Sequence, residues 1–273
     1  MNGGVSKRRR IGGFTIVETL IVLAVTGFIF VSIVGLVAGR QNKTEFQQAI
    51  NNITGQIQQT ITEVQKGYFP SSTYRCNATG SISFTPNVGT QGSSQGCMFI
   101  GKVTQFAVHG TDPQQFNVFT LVGCQFKTCL NKGDIATTPA EVKPVVDQYV
   151  TDNESLENGL VAKKMTYKTG GGATQNATGA MGFLSSFGSA SCGTGSDLCS
   201  GSQQVGLYAV NTTALDSDTS AVQSAISVAN LVQADSVAIC FESGTTTQAG
   251  TVTIGGQGQQ LSVSLTIKSG SCS

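Results

Sequence analysis

Charged residues and tryptophan are what this sequence of 273 residues has least of. Lys, Arg, Asp and Glu make up 11% of the chain, tryptophan is absent, and Lys268 is the only basic residue near the C-terminus. Proteins that bind nucleic acids use basic patches, and those that bind single strands also stack bases on aromatic side chains. We therefore expect no nucleic-acid partner.

The sequence also lacks a complete set of catalytic or metal-binding residues. Its single histidine, His109, falls in a predicted turn. The Gly-x-Ser-x-Gly pattern at 92–96 precedes a predicted strand, whereas a nucleophile elbow follows a strand and opens a helix. Asp216 and Asp218 lack the further ligands of a calcium loop. We predict no enzyme activity, no cofactor and no metal.

One long apolar run stands out against this background. The 19 residues from Leu20 to Ala38 carry no charge, which is enough to cross a hydrocarbon core of about 30 Å. Four basic residues, Lys7 and Arg8 to Arg10, precede the run, and Arg40 and Lys43 follow it. This bias favours a cytoplasmic N-terminus and export of everything after Arg40.

The small residues that resemble a cleavage site lie before the apolar run. A secretory signal has its small-residue site after the apolar core, whereas here Gly12 and Gly13 come first. A cut after Gly13 would keep the apolar run on the mature chain and create an α-amine at Phe14. Glu18 lies four residues further on. A carboxylate in the centre of a membrane costs about 2.5–3.5 kcal/mol, so we predict that Glu18 pairs with the Phe14 amine of a neighbouring subunit.

The segment from Gly13 to Glu18, with its basic leader and its long apolar helix, resembles the prepilins. This family comprises type IV pilins, pseudopilins of type II secretion and competence pilins. The resemblance implies that a prepilin peptidase cuts between Gly13 and Phe14 and methylates the Phe14 amine. It also implies that Glu18 guides docking into a growing filament. The sequence departs from many major pilins because it has no proline between Met1 and Phe69.

Eight cysteines all lie beyond the apolar run, and an even number in an exported region indicates disulfides. They are Cys76, Cys97, Cys124, Cys129, Cys192, Cys199, Cys240 and Cys272. Their connectivity is open, since eight cysteines allow about 105 pairings. Sequential pairing gives Cys76–Cys97, Cys124–Cys129, Cys192–Cys199 and Cys240–Cys272. The spacings match no zinc pattern.

An apolar stripe predicts that the helix continues past the apolar run. Phe46, Ile50, Ile53, Ile57, Ile61 and Val64 recur every three or four residues, which is helical spacing. Gly67 and Pro70 end the pattern, so we predict a helix from Phe14 to Lys66.

The rest of the sequence predicts short strands. A hairpin is predicted from 97–108 and 115–122, and further strands at 204–210, 236–241, 250–254 and 260–268. We expect a short helix at 219–233, loop with short helical pieces at 131–158, and a cysteine-pinned loop at 169–202. The C-terminal strands resemble the sheet of type-H pseudopilins and related minor pilins.

These elements predict an α+β fold in which a long N-terminal helix, membrane-spanning in its first half, packs on an antiparallel sheet. Four parts follow: a prepilin leader at 1–13, a transmembrane and assembly helix at 14–39, the soluble half of the helix at 40–67, and an exported disulfide-containing head at 68–273.

The resemblance implies a minor pilin or pseudopilin of a type IV pilus-like or type II secretion filament. Its expected partners are other pilin subunits, the prepilin peptidase with the assembly machinery, and the lipid membrane before assembly. Its expected location is the inner or cytoplasmic membrane as a single-pass precursor, then an extracellular or periplasmic filament. The alternative is a membrane-anchored receptor or adhesin that never polymerises. In that case Gly13 stays uncut and Glu18 is dispensable.

Overall fold

The computed structural model describes most of the chain after residue 14. The described residues are 15–67, 73–76, 82–85, 97–106, 114–129, 133–136, 139–170, 172–185, 205–210, 226, 230–244, 247–255 and 261–272. The chain forms two compact units, Met1–Thr44 and Glu45–Ser273. The helix α1 begins in the first unit and ends in the second.

Helix α1 extends over 51 residues, Ile16–Lys66, and no proline interrupts it. It ends where the sequence predicts. Gly67 has a φ of 67° and its N–H donates to the Val64 carbonyl at 3.2 Å. Glycine adopts this left-handed conformation without a Cβ penalty, which makes it a common helix stop.

The second unit contains two large antiparallel sheets and a small hairpin. The hairpin pairs β1 with β2, the six-stranded sheet has the order β10-β9-β8-β3-β4-β5, and the five-stranded sheet has the order β13-β12-β11-β6-β7. The strands are β1 Thr73–Cys76, β2 Ile82–Thr85, β3 Cys97–Phe106, β4 Gln115–Cys124, β5 Val145–Ser155, β6 Leu160–Lys168, β7 Gln175–Ala177, β8 Ala180–Ser185, β9 Val205–Val210, β10 Leu231–Gln233, β11 Ser236–Ser243, β12 Gln248–Gly255 and β13 Ser262–Ser269. A short helix α2, Pro139–Val142, precedes β5, and a 3-10 turn, Glu157–Gly159, joins β5 to β6.

The apolar stripe of α1 is buried in the second unit. Phe46, Ile50, Ile53, Ile57, Ile61 and Val64 are each at most 3% exposed. They belong to one apolar cluster that includes inward side chains of both large sheets, such as Phe106, Phe183 and Phe241. Gly250 of β12 lies so close to Ile50 that a Cβ added there would overlap the Ile50 side chain.

The α+β class is confirmed in its coarse form: one long N-terminal helix precedes antiparallel sheets. The predicted hairpin is also confirmed, since β3 pairs with β4 from Cys97–Cys124 to Phe106–Phe116. The three C-terminal strands pair as a meander, and Val263, Leu265 and Ile267 pack inward as the alternation predicts.

Three local predictions are wrong. The region 131–158 has the expected short helical pieces, α2 and the start of the 3-10 turn, but it also contains the 11-residue strand β5. The region 169–202 contains β7 and β8. Residues 231–233, expected to end a helix, form β10. The described part of β5 has exposed polar residues from Asp152 to Ser155, which is common in an edge strand, whereas all six residues of β8 are buried. Neither strand therefore shows the apolar alternation that identifies a half-buried strand.

Candidate functional site: an exposed apolar helix and a buried ion pair

The first half of α1 is apolar on every side and exposed among the described residues. Within the described residues, one segment, Ile16–Val34, has the length and composition of a membrane span, and none of it is buried. Its large side chains, including Leu23, Phe28 and Phe30, are at least half exposed. A helix that is apolar all round is normally buried in a membrane or in a packed assembly. Its N-terminal position also fits a signal sequence.

Glu18 takes part in a reciprocal cap at the start of this helix. The Thr15 backbone N–H donates to Glu18 Oε2 at 3.1 Å, and the Thr15 hydroxyl donates to the same oxygen at 3.3 Å. In return, the Glu18 N–H donates to Thr15 Oγ1 at 3.3 Å. The pattern is a capping box, in which a Thr and a Glu three residues later satisfy N–H groups that the first turn leaves unpaired.

The sequence analysis did not identify Thr15 as a hydrogen-bond partner of Glu18. The signal was present, since Thr-x-x-Glu before an apolar run is the signature of a capping box. Gly13 and Phe14, the predicted cleavage and methylation residues, lie outside the described residues. Cleavage at Gly13 and methylation at Phe14 therefore stay predictions.

A second polar site lies inside the second unit, where Lys102 of β3 is only 4% exposed. Its Nζ lies 2.5 Å from Glu63 Oε2 of α1 and 4.0 Å from Asp152 Oδ2 of β5. The Glu63 side chain is 25% exposed. Burial by itself would raise the pKa of the Glu63 carboxyl. Hydrogen bonds from Lys102 and Gln59, together with the positive charge of Lys102, outweigh burial and lower this pKa below its usual value.

These residues border a groove of about 110 Å³ between α1 and the edge of the six-stranded sheet. Its lining carries three carboxylates and one ammonium group, so the groove has an excess of negative charge; we call it the acidic groove. The lining residues are Gln56, Gln59, Thr60, Glu63, Lys102, Phe116, Val118, Asp152 and Glu154. Sequence reasoning missed the groove because Glu63, Lys102 and Asp152 are distant in the chain and show no motif.

Within the described residues, two disulfides have both partners described, Cys124–Cys129 and Cys240–Cys272. Both belong to the sequential pairing scheme. Cys97 is also disulfide-bonded. Cys192 and Cys199, together with the side chain of Cys76, lie outside the described residues. The pairings Cys76–Cys97 and Cys192–Cys199 therefore stay predictions.

The remaining residues that the sequence analysis considered for catalysis or metal binding are not among the described residues. His109, the 92–96 pattern and the Asp216–Asp218 fragment fall outside the described residues. Within the part of the chain that the structure describes, no group of three or more His, Cys, Asp or Glu side chains is arranged to hold a metal ion.

Comparison with known proteins does not assign a family. No family model, no curated protein and no solved structure matches this chain.

Proposed function

We propose that this chain is a structural subunit, a minor pilin or pseudopilin, of a type IV pilus-like or type II secretion filament. The observation that carries the proposal is the exposed apolar helix Ile16–Val34 with a carboxylate in its first turn. Such a surface needs a membrane before assembly and neighbouring helices after it. In this proposal the prepilin peptidase cuts at Gly13 and methylates Phe14.

The geometry of the cap supports a dual role for Glu18. Both hydrogen bonds that its carboxylate accepts from Thr15 use Oε2. Among the described residues no donor is bonded to the other oxygen, Oε1, and in the proposal it accepts from the Phe14 amine of a neighbouring subunit. A carboxylate that already caps its own helix is less costly to bury than an unpaired one, and pairing with an amine lowers the cost further.

The fold of the second unit supports a pilin-like arrangement. The buried stripe of α1 and the inward faces of the sheets form one cluster, and Asn158 donates from its side chain to the Glu45 carbonyl at 3.2 Å. In the proposal, the 45–66 half of the helix lies along the sheets as the pilin-like backbone of the exported head, while the 16–34 half packs in the filament core.

Mass spectrometry of protein extracted from membranes tests the processing step. In cells with an active prepilin peptidase, the proposal predicts a mature chain that begins with N-methyl-Phe14. An intact leader from Met1 would contradict the proposal and would favour a membrane-anchored receptor that does not polymerise.

A Glu18→Ala variant tests the assembly role. We expect it to be cut and to remain in the membrane while its incorporation into filaments falls at least tenfold, since the pairing with the Phe14 amine is lost. Glu45→Ala, which removes a carboxylate of the same helix outside its apolar half, is the matched control. Equal incorporation of the two variants would refute the role of Glu18.

A further inference from the structure

The five-stranded sheet has a basic outer face. Its strands contain four lysines and a single carboxylate, Glu242. Glu242 accepts a hydrogen bond from the Cys272 N–H at 2.5 Å, so one of its carboxylate oxygens already has a partner within the chain. We call the four lysines the lysine face. They are Lys163, Lys164 and Lys168 of β6 and Lys268 of β13.

A β-bulge concentrates charge on this face. In the pairing of β11 with β6, Cys240 is opposite Lys164 and Phe241 is opposite Ala162, so Lys163 is an extra residue. Phe241 and Ala162 are buried, whereas Lys163 is exposed and Lys164 is half-buried on the outer side. Regular alternation would direct one of two consecutive lysines into the core, and the bulge avoids this. Both ammonium groups therefore stay in contact with solvent.

Among the residues that the structure describes, no carboxylate forms an ion pair with the lysine face. The ion pairs within the described residues involve Lys102 and Lys127, and none involves the four lysines of this face. Around the lysines, the outer face presents hydroxyl groups of Thr166, Thr251, Thr253, Ser264 and Thr266, which align across strands by register. The surface is thus cationic and rich in hydrogen-bond donors, which suits carboxylate partners.

The chain itself carries the complementary surface. The acidic groove has more carboxylates than cations in its lining, and Asp152 and Glu154 at its edge are exposed. Glu157, in the turn after β5, is also exposed. The acidic groove and the lysine face are different surfaces of the same unit, so a contact between them on two copies is heterologous. Heterologous contacts that do not close on themselves propagate as open helical filaments.

We propose that the lysine face of one subunit contacts the acidic groove of a second copy of this chain, and that this contact sets the register between neighbouring heads. The inference rests on the proposed filament function. Exposed ion pairs contribute little affinity each, whereas complementary charge selects orientation and excludes wrong contacts. The apolar helix supplies the attraction between subunits, and the charged surfaces select which neighbouring positions fit.

A zero-length carbodiimide cross-linker tests the contact, because it joins amines only to carboxylates that touch them. The full processed chain is treated in purified filaments and in detergent-dispersed subunits, and linked peptides are identified by mass spectrometry. We expect links from Lys163 or Lys164 to Asp152, Glu154 or Glu157 in the filaments alone. The pair Lys127–Glu141, 3.2 Å apart within one subunit, is the internal control and should be linked in both samples.

The outcomes separate the two proposals. If filaments form and the Lys127–Glu141 link appears, but the lysine face links to other carboxylates or to none, the contact is wrong while the filament function stands. If the processed chain forms no filaments, the filament function itself fails.

Charge reversal gives an independent measurement. Lys163→Glu should lower filament yield about fivefold, since one attraction becomes a repulsion at every contact. Combining it with Glu154→Lys restores the opposite charges and should recover most of the yield. Lys143→Glu makes the same charge change at an exposed lysine outside both surfaces, and it should leave the yield within about twofold. Failure of the combined variant to recover the yield would overturn the proposal.

Discussion

Lys102 places a charged group in the interior of the unit 45–273. It lies on the same side of β3 as the buried residues Thr104 and Phe106, and it borders the acidic groove. A buried ammonium is costly unless it is paired and hydrogen-bonded, and Glu63 supplies that partner from α1. A buried ion pair often adds little stability but penalises arrangements that separate the partners. We therefore expect the Lys102–Glu63 pair to favour the observed contact between α1 and β3.

Removing one member of the pair should therefore destabilise the fold more than removing both members. We expect Glu63→Gln to lower the free energy of unfolding by about 1–3 kcal/mol, since Lys102 loses the nearer of its two charged partners. Combining it with Lys102→Met should restore part of that loss. Thermal unfolding of the full chain in detergent micelles measures both effects. Lys168→Met, at an exposed lysine, is the control and should change stability by less than about 0.5 kcal/mol. A double variant less stable than Glu63→Gln would contradict the account.

The lowered pKa of Glu63 predicts acid sensitivity. Because the folded-state pKa lies below the ordinary value of 4.5, the ionised carboxylate stabilises the fold above that value. The contribution is lost as the pH falls through the folded-state pKa. The melting temperature should thus fall between about pH 6 and about pH 3 more steeply in the wild type than in Glu63→Gln. Parallel curves for the two proteins would show that Glu63 does not carry the effect.

At the scale of elements, the sequence predicts helices and strands best where the hydrophobic pattern is local and unambiguous. The stripe from Phe46 to Val64 and the stop at Gly67 gave the end of α1, and the alternation at 261–267 gave β13. The strands β5 and β8 were not predicted from the sequence, because β5 is polar at the edge of its sheet and β8 is buried on both faces. The acidic groove was not predictable, since it depends on how α1, β3 and β5 come together.

The approach of α1 to β12 depends on Gly250. A Cβ at this position would overlap Ile50 and lie 3.4 Å from Phe46. We expect Gly250→Val to lower the free energy of unfolding by about 1–3 kcal/mol through overpacking. Shortening Ile50 to Ala in the same chain should recover part of that loss by making space. Gly244 has no atom near its added Cβ, so Gly244→Val is the control. Equal stability of the two glycine variants would argue against a close approach.

The two described disulfides close loops of very different lengths. The Cys240–Cys272 bridge has a sequence separation of 32 and ties β11 to the end of the chain after β13, whereas Cys124–Cys129 has a separation of 5. Loop-closure entropy predicts losses of about 4 and about 2 kcal/mol when each pair is replaced by serines. Chemical denaturation of the two double variants measures the difference. The reverse order of the two losses would contradict this entropic account.

At the scale of the whole molecule, the two units have opposite solvent requirements. Within the described residues, the unit 1–44 exposes the apolar segment Ile16–Val34, whereas the unit 45–273 exposes one large apolar side chain, Ile135, and buries its apolar cluster. A chain with this division needs an apolar environment at one end and water at the other. A membrane provides both, and in the proposed filament an apolar core and exposed heads would provide both.

The central claim is that this chain is a processed filament subunit. The most direct test is to identify its N-terminal residue in filaments sheared from the cell surface. Filaments from cells that express the chain are sheared off, sedimented away from membranes and digested for peptide mass spectrometry. The account predicts that the chain is present in the filament fraction and that its first residue there is N-methyl-Phe14. It is contradicted if the chain remains entirely in the membrane fraction with residues 1–13 attached, while other pilins in the same cells are cut and assembled.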